Sequence, residues 1–174
     1  MKLRIFDTKL KHERKRYFVQ VSLASISLFL VLVASSFLSS ALESKAVIVA
    51  AIASTAFVLF IMPHSDTAHP RHVSGGHLVA LVIGVAFVWV ADSLVTLQAI
   101  EDSKFFFPVF AATGVGFSML VMAATDTEHP PAAGTALGIL SSPVSLELVL
   151  FILMSVSLLL TIQLSFRKRL HNLY

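Results

Sequence analysis

Residues 111–140 read AATGVGFSMLVMAATDTEHPPAAGTALGIL, and the fold turns on how this stretch is read. An apolar run closes on a short polar tract, Asp126-Thr127-Glu128-His129-Pro130, and a second run rich in small residues follows it. Residues 51–70, AIASTAFVLFIMPHSDTAHP, repeat the order sixty positions earlier and end in Asp66-Thr67-Ala68-His69-Pro70. Ala51, Phe57 and Met62 stand at the same spacing before Ala111, Phe117 and Met122. A chance pentapeptide would not bring its helix with it, so a helix-plus-loop unit reads as duplicated.

The chain around these tracts is far too apolar for a soluble domain. Its 174 residues are 56% hydrophobic and 13% charged, with a mean hydropathy of +0.85. Segments 18–42, 77–98, 105–124 and 144–166 each reach the roughly 20 apolar residues that cross a bilayer as a helix, and 46–63 is just long enough. They are apolar all round rather than alternating, which argues against an outer-membrane barrel. The expectation is an all-α, polytopic membrane bundle of about five transmembrane helices. One transmembrane domain would occupy 18–166, with repeats at about 46–98 and 105–166, between a basic interfacial segment (1–17) and a basic tail (167–174).

Charge orients the bundle. Lys2, Arg4, Lys9, Lys11, Arg14, Lys15 and Arg16 crowd the first sixteen residues, which by the positive-inside rule places the N-terminus in the cytoplasm and the protein in the cell (inner) membrane. Leu3, Ile5, Phe6 and Leu10 interleave with these cations, so the leader reads as an interfacial helix on anionic lipid rather than a nucleic-acid binder. The first span is expected to be an uncleaved anchor, since Ser39-Ser40-Ala41 is a feeble cleavage site. Five crossings would leave Arg167-Lys168-Arg169 outside, against the same rule. An even count needs a short re-entrant piece, for which 132–140 is the best candidate. Because the N-terminal cluster is the larger, five long helices are expected. With no cysteine, disulfides, thiolate metal sites and cysteine nucleophiles are excluded.

The polar tracts have a physical reason for their residue types. Proline is tolerated in the first turn of a helix, and Asp or Thr just upstream can cap free amides. Each tract therefore reads as a helix start, and a helix start favours a small anion. Two apolar segments separate the copies, which puts both on one membrane face and makes the duplication parallel, as in some transporters. His69 and His129 are then expected to face one central cavity, within about two helix widths, or about 20 Å. Gly75-Gly76 and Gly134-xxx-Gly138 allow close backbone approach.

Glu128-His129-Pro130-Pro131-Ala132-Ala133-Gly134-Thr135-Ala136 resembles the signature of the HPP family of small integral membrane proteins, over roughly residues 18–166. The resemblance implies a handful of membrane helices, and relatives are implicated in nitrite transport across plastid and cyanobacterial membranes. The family tract maps onto His129, Pro130 and Pro131. Arg71 stands where the first copy would carry its second proline, so the halves are not equivalent.

The candidate substrate-binding residues are Asp66, Thr67, His69, Pro70, Arg71, Asp126, Thr127, His129, Pro130, Pro131, Gly134 and Thr135, acting on a small monovalent anion, with nitrite favoured by the resemblance. Arg71 is either an anion-attracting charge or a topogenic one. His69 and His129 titrate near neutral pH, and ionisable groups near membrane depth mark pathways or proton relays. The rival chemistry is a divalent-metal transporter or intramembrane metalloenzyme using His64, His69, His72 and His129, with His77, Asp66, Asp126 and Glu128 close by. A non-transporting structural or regulatory membrane protein is the third reading. Asp92, Glu147 and Trp89 read as span-end residues. No nucleophile elbow, phosphate loop or dinucleotide fingerprint occurs, so neither an enzyme nor a cofactor is expected. Small-residue faces at Ala112-xxx-Gly116 and Ala50-xxx-Ser54 favour a homo-oligomer.

Overall fold

The computed structural model describes residues 12–36, 46–96 and 105–173. Six α-helices run through them: α1 (Arg14–Ser36), α2 (Ala46–Ile61), α3 (Pro70–Thr96), α4 (Phe106–Ala124), α5 (Pro130–Leu140) and α6 (Leu146–Phe166), with 3-10 turns at Asp66–Ala68 and Arg167–Arg169. No strand occurs among the described residues. β-branched residues are frequent in these segments and would weaken helices in water. In lipid every backbone group must find its partner within the segment, which makes helix the only open choice. The basic residues up to Lys11 and the Ser39-Ser40-Ala41 tract lie outside the described residues.

Four helices, α1, α3, α4 and α6, are long and apolar enough to cross a membrane. The 16 residues of α2 span about 24 Å and the 11 of α5 about 16 Å, against a hydrocarbon core of about 30 Å. The segment read as starting at His77 begins at Pro70 instead, so His72 and His77 both lie on α3.

The short helix α5 occupies the middle, packed on α2, α3 and α4. Pro131, Ala132, Thr135, Ala136 and Gly138 are buried there, and their small side chains permit close approach where lipid supplies little drive for association. A second layer joins Ile48, Ile52, Leu59 and Phe60 of α2 to Leu148, Ile152 and Leu159 of α6, with Val31 of α1 against it. Phe18, Phe29, Trp89, Leu120 and Leu146 stay exposed around the outside, as lipid-facing residues should.

Long-range hydrogen bonds show which helix ends meet. Gln20 Nε2 near the start of α1 donates to Phe60 O (2.7 Å) and His171 O (2.9 Å), and His171 N–H donates back to Gln20 Oε1 (3.0 Å). Tyr17 OH donates to Leu173 O at 2.7 Å, and Leu173 N–H to Ile61 O at 3.0 Å. The start of α1 and the ends of α2 and α6 therefore share one end of the bundle. α3 and α5 start there too, and α4 ends there, since Arg71 Nη2 donates to Thr125 O at 3.0 Å. Five crossings cannot return α6 to the end where α1 began. The missing passage is α5 with residues 141–145: Gly138 packs on Ile48 at the far start of α2, and Leu140 on Gly114. The five long helices expected are present, and α5 covers the short piece weighed at 132–140 as the added passage. Among the described residues the helices pass through the bundle six times, one of them as a half-helix, and Arg14–Arg16 and Arg167–Arg169 lie at the same end.

Candidate functional site

At that shared end the two tracts converge. The 3-10 turn Asp66–Ala68 leads into Pro70 at the start of α3. In the second tract Thr125 closes α4, Asp126 adopts φ 55°, a left-handed setting that aspartate tolerates better than most residues, and Pro130 opens α5. α3 lies hard against this second turn. A Cβ on Gly76 would come within 2.8 Å of His129 Cβ and 2.9 Å of the Thr127 carbonyl, and one on Gly75 within 2.5 Å of Thr127 Cγ2.

Two sequence expectations about these helix starts are corrected. The residue before α5 is His129, whose side chain makes no cap hydrogen bond; Asp126 instead pairs with Arg71 at 3.3 Å. The start of α5 also offers few amides to an anion. Pro130 and Pro131 have no N–H, and the Ala132 N–H is taken by His129 O at 2.8 Å. Hydrogen-bond donors at the site are therefore chiefly side chains.

Below the turn runs a buried polar string. His129 Nδ1 lies 2.8 Å from the Thr67 carbonyl and its Nε2 3.2 Å from Thr55 Oγ1. Thr55 Oγ1 lies 2.9 Å from His77 Nε2, and His77 Nδ1 lies 2.9 Å from Thr135 Oγ1. All four side chains are buried, and the two imidazole centroids are 5.2 Å apart. Four elements supply the string: Thr67 from the 3-10 turn, Thr55 from α2, His77 from α3, and Thr135 from α5 with His129 at its head. Burial above all pushes the His129 imidazole down to about 4, the nearby His72 acting in the same direction and the Thr67 carbonyl opposing.

Above the string opens a vestibule of about 690 Å³, lined by His64, Ser65, Asp66, Thr67, His69, Arg71, His72, Asp126, Glu128 and Arg167. His69 is exposed at its rim, its Nδ1 accepting from Arg71 N–H at 3.3 Å. The expectation that His69 and His129 face one cavity as equivalents is thus corrected. His129 points inward and pairs with His77, whereas His69 sits edge-on to His72 with centroids 6.2 Å apart. Of the other anticipated residues, Pro131, Thr127 and Thr135 are buried, Thr67, Pro70 and Gly134 half-buried, and Asp66, Arg71, Asp126 and Pro130 exposed.

The tetrad His64, His69, His72 and His129 is not gathered. His64 Nε2 is bonded to Leu170 O at 2.9 Å, and both nitrogens of His129 serve the string. One nitrogen of His72 lies within 4.8 Å of an oxygen each of Asp126 and Glu128. The Arg71 guanidinium already neutralises Asp126, and His72 Nδ1 faces the Glu128 carbonyl at 3.2 Å, so this is a mixed ion-pair network at the mouth. Thr55 escaped the sequence reading, and His77 entered it only as a neighbour of the loop. The available signal was a polar side chain at the centre of an apolar run.

At the far end of α5 a second cavity of about 680 Å³ is bordered by Trp89, Asp92, Phe106, Phe110, Leu140 and Ser141, among others.

Fold and site together define a polytopic helical membrane protein with a polar path leading into its bundle. The family model for the HPP transmembrane region matches residues 12–173, and the chain belongs to the HPP family. A transmembrane protein of Dictyostelium discoideum is 30% identical over 115 residues, which is 66% of this chain and 37% of that relative. The chain thus spans little more than a third of the length of the curated relative it matches. No solved structure matches it.

Proposed function

We propose that this protein is a transporter or channel for a small monovalent anion such as nitrite, entering by the vestibule. The observation that carries the reading is the buried string beneath the vestibule. Four interior polar side chains in a membrane bundle are costly to bury, and groups of this kind mark a substrate or ion path. Arg71, paired with Asp126, and Arg167 stand at the rim among carboxylates, so the attraction for an anion would come chiefly from α3 and α5, which direct the positive ends of their dipoles to the same place. Thr67, Thr127 and Thr135 supply hydroxyls whose geometry would select a small oxyanion. Nitrite itself enters through the family resemblance. The two tracts are read as a parallel duplication whose first copy leads into the full span α3 and whose second leads into the half-helix α5.

We further place the shared end in the cytoplasm and the protein in the inner membrane, on the basic residues at both ends. A homo-oligomer is proposed as well: Ala112, Gly116, Ala50 and Ser54 all face outward, and native mass spectrometry from mild detergent showing only monomer would count against it. The test of function is uptake into proteoliposomes of nitrite, nitrate, formate and chloride, set against divalent metals. Nitrite uptake that falls about tenfold in Arg71→Gln, the loss of about one charge-assisted hydrogen bond, is the expected result. Metal flux with no flux of any anion would overturn the reading.

A further inference from the structure

We propose that the groove between the start of α1 and the end of α6 holds one anionic phospholipid, drawn from the leaflet at the shared end of the bundle. The inference goes beyond the transport reading and does not depend on what the vestibule carries.

The groove encloses about 660 Å³, within the range of small-molecule sites. Its lining is graded by depth. Lys15, Arg16 and Arg169 stand with Glu13 toward the end of the bundle, and Val19, Leu23 and Phe166 form apolar walls further in. On α1, Arg16, Val19, Gln20 and Leu23 recur at three- and four-residue spacing and so share one face. The charged band and the deepest apolar wall are therefore about 10 Å apart along that helix.

Charge at the mouth is positive. Glu13 pairs with Arg16 at 3.0 Å, and Lys15 and Arg169 line the groove beside that pair, so three cations there outweigh one carboxylate. Arg14, Arg167 and Lys168 add to the positive potential of the same end. The floor is set before any ligand arrives. Gln20 Nε2 donates to the Phe60 and His171 carbonyls, its Oε1 accepts from the His171 N–H, and Leu170 is buried beside them. A floor already ordered keeps the entropic cost of binding low.

A phospholipid meets both bands at once. Its phosphodiester suits the cations, and its acyl chains suit Val19, Leu23 and Phe166. Val19 and Phe166 are 52% and 39% exposed on two helices long and apolar enough to span the membrane, so acyl chains can enter from the side. A free phosphate would leave those apolar walls wet. A second copy of this chain would bring its own cations against these. Basic pockets between transmembrane helices on the cytoplasmic side hold anionic head groups by the same division of labour. A lipid seated here would strap α1 to α6.

The test is native mass spectrometry of the full chain in neutral detergent, titrated with phosphatidylglycerol or with phosphatidylcholine of identical acyl chains. One phosphatidylglycerol per chain should be retained, at least about tenfold more tightly than phosphatidylcholine. Each cation beside an anionic lipid accounts for about fivefold in affinity, so Lys15→Gln combined with Arg169→Gln should weaken binding by about twenty-five-fold. Arg14→Gln combined with Lys168→Gln removes the same charge outside the groove lining and should weaken it by less than about twofold. Val19→Trp fills the apolar wall with every charge in place and should weaken binding by about tenfold; it carries the test if the double variant fails to assemble. Equal retention of the two lipids, equal losses in the two charge pairs, or full binding by Val19→Trp overturns the site. Displacement of the lipid by millimolar inorganic phosphate overturns it too, in favour of a free-anion site. Lipid retained as expected in a protein that moves no anion upholds the groove and removes the transport reading alone.

Discussion

His129 is buried, bonded at both nitrogens and held neutral, which makes the folded protein sensitive to acid in a calculable direction. Its pKa is lowered from near 6.5 to about 4, so between those values the unfolded chain binds the proton more readily than the folded one. Stability is therefore whole above about pH 6.5 and declines as the pH falls toward 4, at about 1.4 kcal/mol per unit for a single group. Melting temperatures in detergent should fall between pH 7 and 4.5, and His129→Gln should flatten that slope; an unchanged slope would show the imidazole to be solvated. Gly76 makes a different demand. An added methyl there meets the Thr127 carbonyl, a backbone atom that cannot turn aside, whereas at Gly116 it meets nothing within 4 Å. Gly76→Ala should destabilise the protein by about 1–3 kcal/mol, the usual range for overpacking, and displace His129. Gly116→Ala is the matched control, expected to leave the melting temperature in place.

Among the elements, α6 depends on a cap. Ser145 Oγ accepts from the Leu148 N–H at 3.2 Å, and Ser145→Ala should cost about 1 kcal/mol, seen as a lower melting temperature in detergent. α5 depends on its neighbours, for a helix of 11 residues is too short to hold alone in water. That difference also explains what could be read ahead of the structure. The long apolar helices and the proline-marked starts at Pro70 and Pro130 are local signals, carried by composition and by the geometry of a missing N–H. The re-entrant role of 132–140 could be seen only as a candidate, because whether a short helix completes a passage depends on what packs beside it. His129 was legible because its tract recurs. Thr55 and His77 were not, since their pairing spans 22 residues and arises only when α2, α3 and α5 close around one point. The capping role expected of Asp126 failed for a related reason: Arg71 competes for its carboxylate from another helix.

For the whole molecule, six passages place the start of α1 and the end of α6 at one face. The absence of native cysteine makes this directly measurable. Single cysteines at Lys15 and Lys168 should react with an impermeant thiol reagent from the same side, and one at Ser141 from the other; opposite labelling of the first two would rule the topology out. The brevity of α5 has an electrical consequence. If water fills the cavities at its two ends, the dry layer between them is about 16 Å thick rather than about 30 Å, and a membrane field would fall more steeply across it. A full membrane potential of 100 mV is worth about 2.3 kcal/mol per elementary charge. Any charge carried through the bundle would then meet most of the voltage across this short helix rather than across the full membrane.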